Sequence, residues 1–202
     1  VLSAPVRRGT AGKRRGQGGV MNTIDGTSLT GAAGEHLVMS RLLSRGYIAA
    51  LAPQGVPNFD IIVTSVDGSH LCAFQVKTRW QKGSDGGWHM RPKHEKIIDP
   101  RIFYCFVDLG SEPSPKSDIF LIPSKKVADA IATSHKIWLE TPGKNGRLHK
   151  DSSVRRLLPD YTRVVGGKTL YTKGWMEPYR ENWDQLRHFT SAVPAQVMKA
   201  DQ

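Results

Sequence analysis

The sequence predicts an α/β fold, with one central mixed β-sheet of about four to five strands flanked by helices. Two observations lead there. A helical segment is followed by three short apolar runs of strand length, and two further apolar runs are followed by a second helical segment, so the elements run αβββ and then ββα. The composition supports a packed core, because 39% hydrophobic and 23% charged residues in a chain of 202 is ordinary globular usage. One core is expected over residues 23–140, with a tail over 1–22 and a C-terminal extension over 141–202 packed on the core.

The opening "VLSAPVRRGTAGKRRGQGGV" is rich in Gly and Arg and lacks apolar periodicity, which predicts a disordered basic tail over residues 1–22. It is either sequence upstream of a start at Met21 or a nucleic-acid-binding arm. In "DGTSLTGAAGEHLVMSRLLSRGY" a Ser/Thr cap opens a helix near Thr27 or Ser28 and Gly46 closes it. Leu29, Ala32, Ala33, Leu37, Met39, Leu42 and Leu43 form the stripe expected to pack on the sheet. Gly31 and Gly34 each weaken a helix by about 1 kcal/mol relative to alanine, so they predict close approach of another backbone or of a ligand beside Glu35.

"YIAALAP", "FDIIVTSV" and "HLCAFQVKTRW" read as three strands, the last two joined through "DGS" as a hairpin. "RIFYCFVDL" and "DIFLIP" read as central strands, and "SKKVADAIATSH", ahead of "KIWLE", as a helix. In the extension, "TRVVGGKTLYTKGW" predicts a short hairpin around the Gly-Gly pair, and "EPYRENWDQLRHF" a final helix docked through Trp175, Tyr179 and Trp183. There is no internal repeat. The Walker glycine loop, the nucleophile elbow and the dinucleotide fingerprint are all missing, so no small-molecule organic cofactor is expected.

Lys and Arg number 29 against 18 Asp and Glu, a formal charge of +11. Residues 1–20 hold five of the cations and no acid, so the remainder still carries +6. A polyanion such as DNA is the partner such a surface predicts. Cys72 and Cys105 each lie inside an apolar run and read as buried thiols, which with the lack of a secretory segment predicts a cytoplasmic protein. No apolar run approaches the roughly 20 residues needed to span a bilayer, so no membrane association is expected.

The chemistry concentrates in "NFDIIVTSVDGSHLCAFQVKTRW". A carboxylate entering an apolar strand, Asp60, needs a partner that offsets its desolvation. Gln75 and Lys77, at i and i+2, point to one face while Phe74 and Val76 point to the other. If "FDIIV" pairs with "FQVKT", Asp60, Gln75 and Lys77 converge; the plain alternative is a structural ion pair between Asp60 and Lys77.

A helix carrying Glu35, a strand with Asp60 and a next strand ending in "QVK" resemble the PD-(D/E)xK nuclease superfamily over roughly residues 27–125. "GAAGEHLVMSRLLSRGY" is similar to the opening helix of archaeal Holliday-junction resolvases and of small endonuclease-like domains, and the QxK form is similar to a homing endonuclease branch. The resemblance implies a restriction-endonuclease-like core and a metal-dependent DNA endonuclease. Asp60 and Gln75 would be first- and second-motif ligands for Mg²⁺, with Mn²⁺ as a substitute, Val76 would lend its carbonyl, Glu35 the helix carboxylate, and Lys77 would orient or activate water. It also implies action as a homodimer.

Two positions depart from the family pattern. Phe59 stands where a proline usually precedes the aspartate, with Pro57 two residues earlier, and Gln75 replaces an acid. A glutamine oxygen is a neutral donor, so weaker metal binding and greater reliance on Glu35 are expected; a nucleic-acid-binding module that has lost cleavage is the alternative. Arg79, Lys82, Arg91, Lys93 and Lys96 are candidates for the phosphate path, with Trp80 or Trp88 either stacking on a base or capping the sheet. His89 and His94 have no cysteine nearby to suggest zinc. Arg147, Lys150, Arg155 and Arg156 form a second basic stretch, read either as a phosphate contact or as a solvated loop.

Overall fold

The computed structural model describes residues 26–188 apart from 54, 66, 67, 69, 81–85, 111–115 and 144. The tail expected over 1–22 and Lys82 lie outside the described residues. Helix α1 (Gly26–Leu43) precedes strands β1 (Ile48–Leu51), β2 (Ile61–Thr64), β3 (Leu71–Arg79) and β4 (Trp88–Met90). A 3-10 turn, Pro92–Glu95, leads to β5 (Ile102–Asp108), β6 (Asp118–Pro123) and helix α2 (Ser124–Glu140).

Five strands form the central sheet in the order β1-β2-β3-β5-β6. All neighbours are antiparallel except β3 and β5, which run parallel, so the sheet is mixed as predicted. The expected hairpin joins β2 and β3, and Gly68 in its turn adopts φ 71°, a left-handed conformation that suits glycine.

Alternation along β5 and β6 divides the core in two. Phe103, Cys105, Val107, Ile119 and Leu121 pack with α1, whereas Tyr104, Phe106, Phe120 and Ile122 pack with α2. With apolar residues on both faces, these strands read as continuous hydrophobic runs. Cys72 and Cys105 are buried free thiols.

The buried row of α1 is Gly34, Val38 and Leu42, one residue every four. Leu29 and Leu43, expected on the buried stripe, are 56% and 47% exposed. The helix is turned because Gly34 meets β3 so closely that a Cβ there would lie 1.9 Å from Thr78 Oγ1. That Thr78 oxygen is sealed from water and has no hydrogen-bond partner among the described residues. Gly31, by contrast, faces open space.

Helix α2 continues through "KIWLE", the segment left outside it by sequence. Strand β7 (Arg155–Leu157) pairs antiparallel with β4 as a separate two-stranded sheet. The hairpin expected around Gly166 and Gly167 does not form: "TRVV" is the short helix α3 (Thr162–Val165), followed by a 3-10 turn, Gly166–Lys168. Gly166, at φ 65°, ends α3 in a conformation that β-branched neighbours disfavour. The final helix is two 3-10 segments, Glu177–Tyr179 and Trp183–His188, whose Trp183 and Leu186 complete the core beneath α1. Trp175 and Tyr179 pack on the other core. No helix among the described residues is long and apolar enough to cross a membrane.

Candidate active site

The ladder between β2 and β3 ends at the pair Ile61 and Phe74, while β3 runs on to Arg79. One further bond, Asp60 N–H to the Phe74 carbonyl at 2.7 Å, closes that ladder. Past it the chain leaves the sheet, and among the described residues no strand pairs with that edge of β3 from Gln75 onward, which leaves a gap in the ladder. Backbone groups alternate sides along a strand, and both Ala73 N–H and the Arg79 carbonyl bond toward the β5 side. Val76 therefore directs its N–H and carbonyl into the gap.

Asp60 fills part of that gap. Its Oδ2 accepts the Val76 N–H at 2.7 Å and the Gln75 Nε2 at 2.5 Å. The aspartate thus supplies the hydrogen bond a continued β2 would have given. Gln75 is buried, at 6% exposure, whereas Asp60 and Lys77 are half-buried. Asp60, Gln75 and Lys77 do meet at one end of the sheet, as the pattern "FDIIV" against "FQVKT" predicts.

Glu35 reaches the same place from α1. It lines, with Asp60, Gly31, Ser28, Phe59 and the stretches 51–53 and 55–56, a cleft of about 470 Å³. Burial and, second, the charge of Asp60 raise the Glu35 carboxyl above its usual range, with His36 and Lys77 opposing. Burial lowers the Lys77 ammonium; Asp60 and Glu35 oppose that, and Lys93 adds to it. The four groups therefore share one electrostatic environment of two acids and two lysines. Among the described residues, no three His, Cys, Asp or Glu side chains gather as a metal cluster. The oxygen donors at hand are two carboxylates, one amide and the Val76 carbonyl, a hard set of the kind that suits Mg²⁺.

The flanking cations divide into those packed against partners and those exposed at the surface. Arg79 donates from Nε and Nη2 to Asp108 Oδ2 at 3.0 and 2.7 Å, bonds the Gly86 carbonyl and lies 3.8 Å over the Trp88 ring. It is a structural clamp. Trp88 is buried and donates to the Val107 carbonyl, so it caps the sheet and offers no ring to a base. Trp80 is exposed. Arg155, expected on a basic surface, is buried against Glu95, Asp151 and the carbonyls of Ser152 and Val154. Arg91, Lys93 and Lys96 are exposed.

Two contributors carried only a faint sequence signal. Asn58 stands at φ 77° and its Oδ1 accepts from Lys93 Nζ at 3.3 Å; the signal was the Pro57-Asn58 turn dipeptide, since asparagine tolerates the left-handed region. His94 is 3% exposed and its Nδ1 bonds the Tyr104 hydroxyl at 2.8 Å.

No family model and no curated protein matches the chain. Among solved structures it is similar to that of a bacterial homing endonuclease, at 17% identity and a TM-score of 0.44, covering 80% of this chain and 91% of that one. The likeness is one of chain path.

Proposed function

We propose that the chain is a metal-dependent DNA endonuclease that hydrolyses phosphodiester bonds at a D…QxK centre. One observation carries this reading: Asp60 closes the β2–β3 ladder opposite Gln75 and Val76, beside Glu35 and Lys77, at the mouth of a cleft. A buried ion pair alone would not need a second acid whose charge repels the first. Glu35, Asp60, the Gln75 Oε1 and the Val76 carbonyl would hold the ion, Mg²⁺ or Mn²⁺ in its place. When bound, it supplies positive charge against that building on the phosphoryl oxygens.

The chain's own groups do the rest. The desolvated Lys77 ammonium, its pKa lowered, donates to the attacking water or to a phosphoryl oxygen. To offer its Oε1 to the ion, Gln75 would exchange the bond that its Nε2 makes to Asp60. The rigid β3 strand fixes Gln75, Val76 and Lys77 relative to one another, which is where orientation is obtained. Two copies related by a two-fold axis would bring two such centres to opposite strands.

Cleavage of supercoiled plasmid and of branched DNA by the wild type and by Lys77→Ala, with Mg²⁺, Mn²⁺ or chelator, tests this. Metal-dependent cutting that the variant lacks is the expected result. A second reading, a nucleic-acid-binding module that does not cut, is favoured by the Gln75 Nε2–Asp60 Oδ2 contact of 2.5 Å, which occupies the aspartate with a donor. Retardation of DNA without cutting by either protein selects it.

A further inference from the structure

We infer that the cleft between α1 and the loop from Ala52 to Asp60 takes an unpaired nucleobase of the substrate strand against the ring of Phe59. The inference rests on the nucleic-acid reading above and adds a substrate class, DNA with an unpaired nucleotide beside the scissile phosphate.

One wall is a loop with fixed ends. The Ala52 N–H donates to the Asp60 carbonyl at 2.8 Å and closes its neck, and within it the Val56 N–H donates to the Pro53 carbonyl at 3.2 Å. Gly55 at φ 88° and Asn58 at φ 77° turn the chain through the left-handed region, which a non-glycine residue seldom occupies. Lys93 Nζ donates to Asn58 Oδ1 and ties the second of these turns to the Pro92–Glu95 segment. The loop thereby delivers Phe59 immediately ahead of Asp60, and both line the cleft with Glu35. The other wall is α1. A Cβ on Gly31 would meet no atom within 4 Å, so the helix leaves the cleft open at this position.

Phe59 is placed unlike its counterparts. Phe74, Phe103, Phe106 and Phe120 are buried in the two cores, whereas Phe59 is half-buried and belongs to neither. An aromatic ring outside the core, on the wall of a cleft that also holds the two carboxylates of the centre, offers a face to a flat partner. Charge decides which part of a nucleotide that partner is. Among the described residues no lysine, arginine or histidine lines the cleft, and its ionisable groups are Glu35 and Asp60. A phosphate entering it would meet carboxylates alone, while a neutral ring meets Leu51, Val56 and Phe59. A base inside a duplex is already stacked on its neighbours, so the ring that reaches Phe59 belongs to an unpaired nucleotide.

The test is equilibrium affinity in chelator for two single-stranded probes of equal length and charge, an oligothymidylate and the same backbone with a stable abasic sugar at every position. The wild type is compared with Phe59→Ala, Phe59→Trp and Gly31→Leu. The wild type is expected to bind the probe with bases about tenfold more tightly. Phe59→Ala should lose most of that preference, and Phe59→Trp should keep it. Gly31→Leu, whose new side chain enters open space, should melt no lower than the wild type and yet lose the preference, because it fills the cleft. Equal affinity of the wild type for the two probes, or binding to neither, would overturn the inference. So would a preference that survives Phe59→Ala, as stacking on the exposed Trp80 would give, or one that survives Gly31→Leu. Should the wild type cut no DNA with any metal while the preference depends on Phe59 and Gly31, the base site stands and the nuclease reading fails. Should it cut while showing no preference, the reverse holds.

Discussion

Asp60 and Val76 are joined by a hydrogen bond of 2.7 Å at the point where β2 stops and β3 continues. The carboxylate keeps the unpaired strand edge satisfied and also faces the cleft beside Glu35. Asp60→Ala is expected to abolish cleavage and to cost about 1–3 kcal/mol, because it strands the Val76 N–H and the Gln75 amide. Chemical denaturation in chelator measures the second effect apart from the first. Unchanged stability would mean that water replaces the carboxylate.

Gln75→Glu separates two demands on one position. Without metal, the new carboxylate replaces a 2.5 Å hydrogen bond to Asp60 with like-charge repulsion, so melting should occur at a lower temperature than in the wild type. Added Mg²⁺ should raise it by more than it raises the wild type, since binding to the native state stabilises by mass action. Equal responses of the two proteins to Mg²⁺ would argue against Gln75 as a ligand.

Gly34→Ala should destabilise despite alanine's helical advantage of about 1 kcal/mol. The new Cβ would stand 1.9 Å from Thr78 Oγ1 and 2.9 Å from Thr78 Cβ, so α1 must move off β3. A net loss of about 1–3 kcal/mol is expected, partly recovered by adding Thr78→Ala, with the coupling read from a double-mutant cycle. Because α1 carries Glu35, cleavage should fall as well.

His94 predicts a pH dependence of stability. Its folded pKa is lowered from 6.5 to about 4, so the unfolded chain takes up the proton first as pH falls. This contribution is intact above pH 6.5, is lost progressively between about 6.5 and 4, and levels off below, amounting to about 2–3 kcal/mol. His94→Gln should flatten that part of the profile in urea titrations at fixed pH. Glu35 acts with the opposite sign: its raised carboxyl penalises the fold above its ordinary range and relieves it on protonation.

The sheet and the convergence of Asp60, Gln75 and Lys77 were legible in sequence, because period-two alternation and the hairpin together dictate which residues stand opposite. The rotation of α1 was not. Leu29 and Leu43 match a helical stripe as well as Val38 does, and only contact between Gly34 and Thr78 selects among them. The pairing of β4 with β7 joins three-residue strands far apart in the chain, too short to show a period. Arg79 and Arg155 look in sequence like any surface cation; their partners Asp108 and Glu95 are set by tertiary contact. The Pro92–Glu95 turn is placed by the Tyr104 hydroxyl, which no local pattern announces.

The C-terminal segment also bears on synthesis. Leu157, Tyr161, Val165, Tyr171 and Met176 cover one face of the sheet, and Trp183 and Leu186 cover the other. On the ribosome, a nascent chain ending near residue 140 would hold every central strand yet leave apolar surface on both sides, and helices α1 and α2 alone would not seal it. Burial of that surface waits for the 3-10 segment Trp183–His188 to emerge.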